Sequence, residues 1–158
     1  MDLLPFFQWC YQTDIGVTIR NSVWLFPAIE AFHLLGFGLT AGAVLVVNLR
    51  LLGVGLGRQA VAQIAASAQP WLLLGVAMMV VSGVPLFLAE SIKCLYSFAF
   101  WVKMICLLLV LIFTFTFYRH VTRTKSASDR TSVARWAAVI SLVLWAGVAW
   151  GGRWIGFS

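Results

Sequence analysis

Charge is what this sequence has least of. Asp and Glu number 5 and Lys and Arg 11 in 158 residues, 10% together, where globular chains carry about a quarter. With 62% hydrophobic residues and a mean hydropathy of +0.96, the chain has too little polar surface to coat a water-soluble globule. Lipid is the implied solvent. Cysteine is scarce too: Cys10, Cys94 and Cys106 are odd in number and lack metal-ligand spacing, which argues against a disulfide framework and a zinc site. The sequence also lacks a serine, cysteine or carboxylate constellation suited to hydrolysis, a phosphate-binding glycine loop, and a soluble segment large enough for a nucleotide. Hydrolytic and nucleotide-dependent chemistry therefore has no footing. The amino-terminal MDLLPFFQWC carries an acid where a secretory signal would be basic and no small-residue cleavage site follows, so it is expected to be retained.

What is present is apolar and long. Four runs, about 23–48, 70–89, 96–118 and 134–155, can each cross a hydrocarbon core of about 30 Å at 1.5 Å per residue. Backbone placed there must be helical, because an open strand would leave amides and carbonyls unpaired. The expectation is an all-α protein, a four-transmembrane-helix bundle forming one membrane domain over residues 1–158. Residues 1–21 mix Phe6, Phe7, Trp9 and Tyr11 with polar residues, which suits an interfacial helix along the outer surface.

A net charge of +6 would suggest nucleic acid in a soluble protein. Its placement reports topology instead. Arg50 and Arg58 lie between the first two runs, and Arg119, Arg123, Lys125, Arg130 and Arg135 surround the loop between the last two, with only Asp129 for balance. The other side carries Arg20, Lys93 and Arg153 beside Asp2, Asp14 and Glu90, so both termini are expected outside and the basic loops in the cytoplasm. Trp24, Trp101, Trp136 and Trp154 sit near run ends, at headgroup level. In the first run the small residues Gly36, Gly38, Thr40, Ala41 and Gly42, with a G-x-x-x-G at 38 and 42, mark a stretch at which a neighbouring helix is expected to pack closely, or where a flat cofactor finds room.

The residues out of place in hydrocarbon are the candidate site: Glu30 and His33 in the first run, Lys103 in the third and Arg153 at the end of the fourth. Each costs on the order of 2.5–3.5 kcal/mol at a bilayer centre, so each calls for a partner or a purpose. Glu30 lies roughly 10 Å below the outer surface, His33 roughly 15 Å and Lys103 roughly 10 Å, so the levels match, and the second run brings Ser82, Gly83 and Pro85 to a similar level. Glu30 and His33, at i and i+3, share a helix face. The bland alternative is a Glu30–Lys103 ion pair with His33 as a bystander, and an Arg153 that snorkels to water. His120, about a membrane thickness from His33, cannot ligate the same iron and reads as a headgroup residue. Met78, Met79 and Met104 are soft candidate axial ligands, more simply read as packing residues.

The segments WLFPAIEAFHLLGFGLTAGAVLVVNLRLLG, PWLLLGVAMMVVSGVPLFLAESIKCLYSFAFWVKMICLLL and GRWIGF resemble a bacterial family of small four-helix membrane proteins without assigned function. The resemblance covers residues 22–155 and rests on Glu30 and His33 as E-x-x-H, Leu49 to Gly53 as LRLLG, Phe100 with Lys103 as F-x-x-K, and Gly152 to Trp154 as GRW. Asn48 stands where the family often has Asp. More distantly, the H-x-L-G pattern and the third-run lysine are similar to the copper-resistance D proteins and the HemJ-type protoporphyrinogen oxidase; the latter's association with haem b is an analogy only. The resemblance implies a multi-pass protein of a bacterial inner membrane.

Three functions compete. In a redox subunit or small b-type cytochrome for electron transfer, His33 would ligate haem b while Lys103 and Arg153 pair with its propionates. In a quinone- or lipid-binding protein, Glu30 and His33 would exchange protons while Lys103 and Arg153 orient the molecule. The third is a cofactor-free accessory subunit of a larger membrane complex. The bilayer and other membrane or redox subunits are the expected partners.

Overall fold

The computed structural model describes residues 3–54, 59–123 and 132–156, apart from the side chains of 118–123, and the regular structure in them is entirely helical. The elements are α1 (Leu4–Tyr11), α2 (Asp14–Asn21), α3 (Leu25–Leu52), α4 (Val61–Tyr96), α5 (Phe98–Arg123) and α6 (Ser132–Ile155). The last four are long and apolar enough to cross a membrane. A bundle of four candidate spans is thus the architecture, with α1 and α2 packed across one end.

The helix limits depart from the apolar runs where tertiary packing extends a helix into polar sequence. The second run begins at Pro70, yet α4 starts at Val61. Val61, Ile64, Ala65 and Ala68 recur at helical spacing and are buried against the bundle, while Gln63, Ser67 and Gln69 face outward. This amphipathic start makes Pro70 an interior residue; it forgoes only one backbone hydrogen bond. At the other end, the stretch between Ala89 and Tyr96 is helix rather than a loop. Glu90 breaks the geometry locally, with φ −121° and ψ 25°, and the chain resumes a helical course to Tyr96. Ser97 alone separates α4 from α5, and its hydroxyl accepts from the Phe100 amide at 3.4 Å. α3 ends at Gly53 with φ +83°, a left-handed position that suits glycine; the Gly53 amide donates to Arg50 and the Val54 amide to Leu49.

α3 packs chiefly on α4 and α5 chiefly on α6, and the two pairs meet along thinner α3–α6 and α4–α5 seams. Glycine decides where each pair touches. A methyl group on Gly75 would collide with the Thr40 hydroxyl and lie 2.6 Å from the Gly36 carbonyl oxygen, so α3 and α4 cross with almost no side chain between them. In α6, a methyl on Gly147 would sit 2.9 Å from Cys106 Sγ, and one on Gly151 would sit 2.9 Å from the Ala99 carbonyl oxygen. The expectation of close packing at Gly38 and Gly42 is overturned: both open on empty space. Gly36 lies two residues from Gly38, about 200° around a helix, so the sequence motif marks a face turned well away from the true contact. The pair that does meet a neighbour at i, i+4 spacing is Gly147 and Gly151.

Away from the α1–α2 end, the interior is filled by Val47, Leu51, Ile64, Leu72, Val110 and Ala138, all buried. One polar bridge crosses it: Asn48 Nδ2 donates to Ser141 Oγ at 3.0 Å, joining α3 to α6 with both residues buried. The amino-terminal helices are stapled to the far end of α4. Thr13 caps α2 by accepting from the Gly16 amide, and a methyl on Gly16 would lie 2.6 Å from the Leu88 carbonyl oxygen. Ser91 Oγ donates to the Phe7 carbonyl at 3.0 Å.

Candidate functional site

His33 and Lys103 reach the same level of the bundle from opposite helix pairs. α3 contributes His33, α4 Ser82 and Gly83, α5 Lys103, and α6 Gly151 and Gly152. Both polar side chains rest against glycine: a methyl on Gly83 would lie 3.3 Å from His33 Cε1, and one on Gly152 would lie 3.6 Å from Lys103 Nζ. The absent side chains leave the imidazole and the ammonium room beside the backbone. The two are within electrostatic reach of one another.

The protonation of the imidazole follows from its partner. Ser82 Oγ lies 2.6 Å from the Met78 carbonyl oxygen and 2.9 Å from His33 Nδ1. A carbonyl cannot donate, so the single hydroxyl proton of Ser82 goes to Met78, and Nδ1 must carry the proton that it gives to Ser82. Nε2 is then left with a lone pair. That arrangement, one ring nitrogen tied to a second side chain and the other free to accept, is the one found in metal-ligating and proton-accepting histidines. Lys103 supplies the opposite character. Among the described residues it has no hydrogen bond or ion pair. Acceptor and donor therefore stand at one level of the bundle, each only half-buried.

The other expected site residues fall elsewhere. Glu30 is exposed on the outside of α3 and makes no ion pair with Lys103 among the described residues. At 28 residues α3 is about 42 Å long, more than the hydrocarbon core requires, so Glu30 in its second turn sits within a few ångströms of the headgroups. An unpaired carboxylate is tolerable there. Arg153 is likewise exposed, in the last turn of α6, and does not face the space between His33 and Lys103 from within the bundle. Met104 is 43% exposed on the outside of α5, while Met78 packs against Gly36 and Met79 lies in the core. The His120 side chain lies outside the described residues.

Sequence reasoning placed Ser82 at the right depth without giving it a role; its i+4 bond to Met78 and its reach to His33 depend on the α3–α4 crossing. Arg20, counted only as an outer charge, was the larger omission. Its guanidinium donates to the Tyr11 carbonyl at 2.7 Å and to the Ala89 carbonyl at 3.0 Å, and it lies 3.6 Å above the Tyr11 ring. One turn before Lys103 on α5 lies an aromatic cluster: Phe87 stacks on Phe100 at 5.8 Å, and Phe7 of α1 meets Phe87 at 5.5 Å and Trp101 at 6.4 Å. A separate open groove of about 480 Å³ runs beside Gly38, Gly42, Ile64 and Trp71; Gln59 and Ser67 provide its polar side chains, so it has neither an imidazole nor an ammonium.

Fold and site together define a small helical bundle with four candidate membrane spans, in which His33 and Lys103 approach one level from two helix pairs. The chain belongs to the family described as a family of unknown function (DUF6644), whose model matches residues 6–158. No curated protein and no solved structure matches it.

Proposed function

We propose that this protein binds a lipid-soluble redox molecule of the quinone type in the pocket between His33 and Lys103. The observation that carries the reading is the 2.9 Å contact of His33 Nδ1 with Ser82 Oγ, whose own proton is drawn to the Met78 carbonyl, beside an ammonium that makes no hydrogen bond or ion pair among the described residues. A quinone headgroup matches this donor set: Lys103 donates to a ring carbonyl, and Nε2 of His33 accepts from the hydroxyl of the reduced form. The glycines beside both groups leave space for a flat ring, and the apolar helices suit an isoprenoid tail. The protein then serves as a small redox or electron-transfer subunit. The basic loops favour a bacterial inner membrane with both termini outside, and the pocket in the outer half of the bilayer.

A second reading, haem b ligated by His33, is favoured by one specific feature. Axial imidazoles are commonly oriented through the nitrogen that does not bind the metal, as Ser82 orients this one. Lys103 would then face the propionates. Exposed Arg153 adds little to either reading.

One preparation separates them. The protein is purified from native membranes under mild detergent, its absorption spectrum recorded, and its organic extract assayed for quinone, alongside His33→Ala and Lys103→Met. Stoichiometric quinone without a Soret band, lost in both variants, is the expected result. A Soret band lost in His33→Ala selects haem. Wild-type protein that carries neither, and does not take up added quinone, contradicts both.

A further inference from the structure

The amino-terminal helices offer more than attachment to the bilayer. They are bound to α4 just where its helical geometry breaks. Glu90 departs from helical backbone, and the Leu88 and Ala89 carbonyls before it point to Arg20 of α2, at 3.4 Å and 3.0 Å. The same guanidinium holds the Tyr11 carbonyl at the end of α1 and stacks on the Tyr11 ring. One side chain therefore ties α1, α2 and the broken end of α4 together. Thr13 and Gly16 set the approach, since the glycine lets the backbone of α2 come against Leu88. From this attachment α1 presents Phe7 and Cys10, 5% and 2% exposed, inward. Phe7 joins the aromatic cluster of Phe87, Phe100 and Trp101, the last two of which stand on α5 within one turn of Lys103 on its cap-facing side.

The geometry points to a cap. α1 and α2 close the end of the bundle over the His33–Lys103 pocket, and Arg20 is the latch whose release opens that pocket to polar molecules from the adjoining aqueous side. Arg20 suits the role because its bonds run to carbonyls and a ring, with no buried carboxylate partner, so opening exchanges them for water at modest cost. The hairpin is also short, two helices of eight residues each, and segments of that size open locally without global unfolding. This inference rests on reading the pocket as a binding site, but its test involves no ligand and so stands or falls separately.

The three native cysteines report the motion. Cys10 lies on the inner side of the cap, and the buried Cys94 lies within electrostatic reach of Lys103. Cys106 sits one helical turn deeper than Lys103, against Gly147 on the α5–α6 seam. The full-length protein in lipid nanodiscs is treated with a charged methanethiosulfonate reagent, and labelling of each cysteine is followed by peptide mass spectrometry. In Arg20→Ala, labelling of Cys10 and Cys94 should both accelerate about tenfold or more, as expected when charge-assisted bonds leave a local closing equilibrium, with Cys106 unchanged. Gly16→Ala, which pushes α2 off Leu88 without touching Arg20, should act in the same direction. Unchanged Cys10 labelling in both variants overturns the latch. Faster Cys10 with unchanged Cys94 overturns the claim that the cap covers the pocket, and equal acceleration of Cys106 shows general loosening and overturns it as well.

Discussion

Two polar clusters in the bundle are built in different ways. Far from the cap, Asn48 and Ser141 bond to each other amid Val47, Val110 and Ala138, and the pair ties α3 to α6. Beneath the cap, Ser82 spends its proton on Met78 and its lone pair on His33, which leaves His33 Nε2 and the Lys103 ammonium with chemistry to spare. A self-satisfied pair specifies structure, whereas an unpartnered polar group costs stability, as it also does at Thr114 Oγ1 and Trp145 Nε1, which are buried without a hydrogen-bond partner among the described residues. The two clusters should therefore respond to mutation with different signs.

The largest effect tests the frame on which both depend. Gly75→Leu must force α3 and α4 apart where Thr40 and the Gly36 carbonyl lie against the Gly75 backbone, and should cost about 3 kcal/mol or more of resistance to unfolding in detergent. Next, Lys103→Met should stabilise the fold by about 1–2 kcal/mol, because it removes a charge from an apolar level, while abolishing ligand retention. A destabilised Lys103→Met would show that the ammonium is structural and erase the contrast. Asn48→Ala should do the reverse: lose about 1 kcal/mol by orphaning Ser141 and leave ligand binding unchanged. Smallest of all, Gly42→Ala should alter stability by less than about 0.5 kcal/mol, since nothing lies within 4 Å of the added methyl. Each stability change can be read as a shift in thermal or denaturant midpoint.

Hydropathy and charge placement made the four spans legible, because hydrocarbon leaves a long apolar run no alternative to helix. They did not show that α4 begins nine residues before Pro70, because its first turns are held by neighbours rather than by lipid. Depth was legible as well: counting residues from the run ends brought His33, Ser82 and Lys103 to one level. Facing was not. Glu30 looked like a partner for Lys103 because both lie near the same depth, but rotation about α3 turns it outward. The same blindness to rotation left Gly36 and Thr40, which meet α4, undistinguished from Gly38 and Gly42, which do not, and missed Arg20, whose partners are carbonyls at a break at Glu90 that the sequence does not announce.

The account's central claim is that Ser82 holds the proton on Nδ1 of His33 and leaves Nε2 as the acceptor of the pocket. Nitrogen-15 chemical shifts of the His33 ring, in protein labelled at histidine and reconstituted in lipid, read the tautomer directly. A neutral ring protonated at Nδ1, changing its tautomer balance in Ser82→Ala, is the predicted result; a ring protonated at Nε2 in the wild-type protein would contradict it.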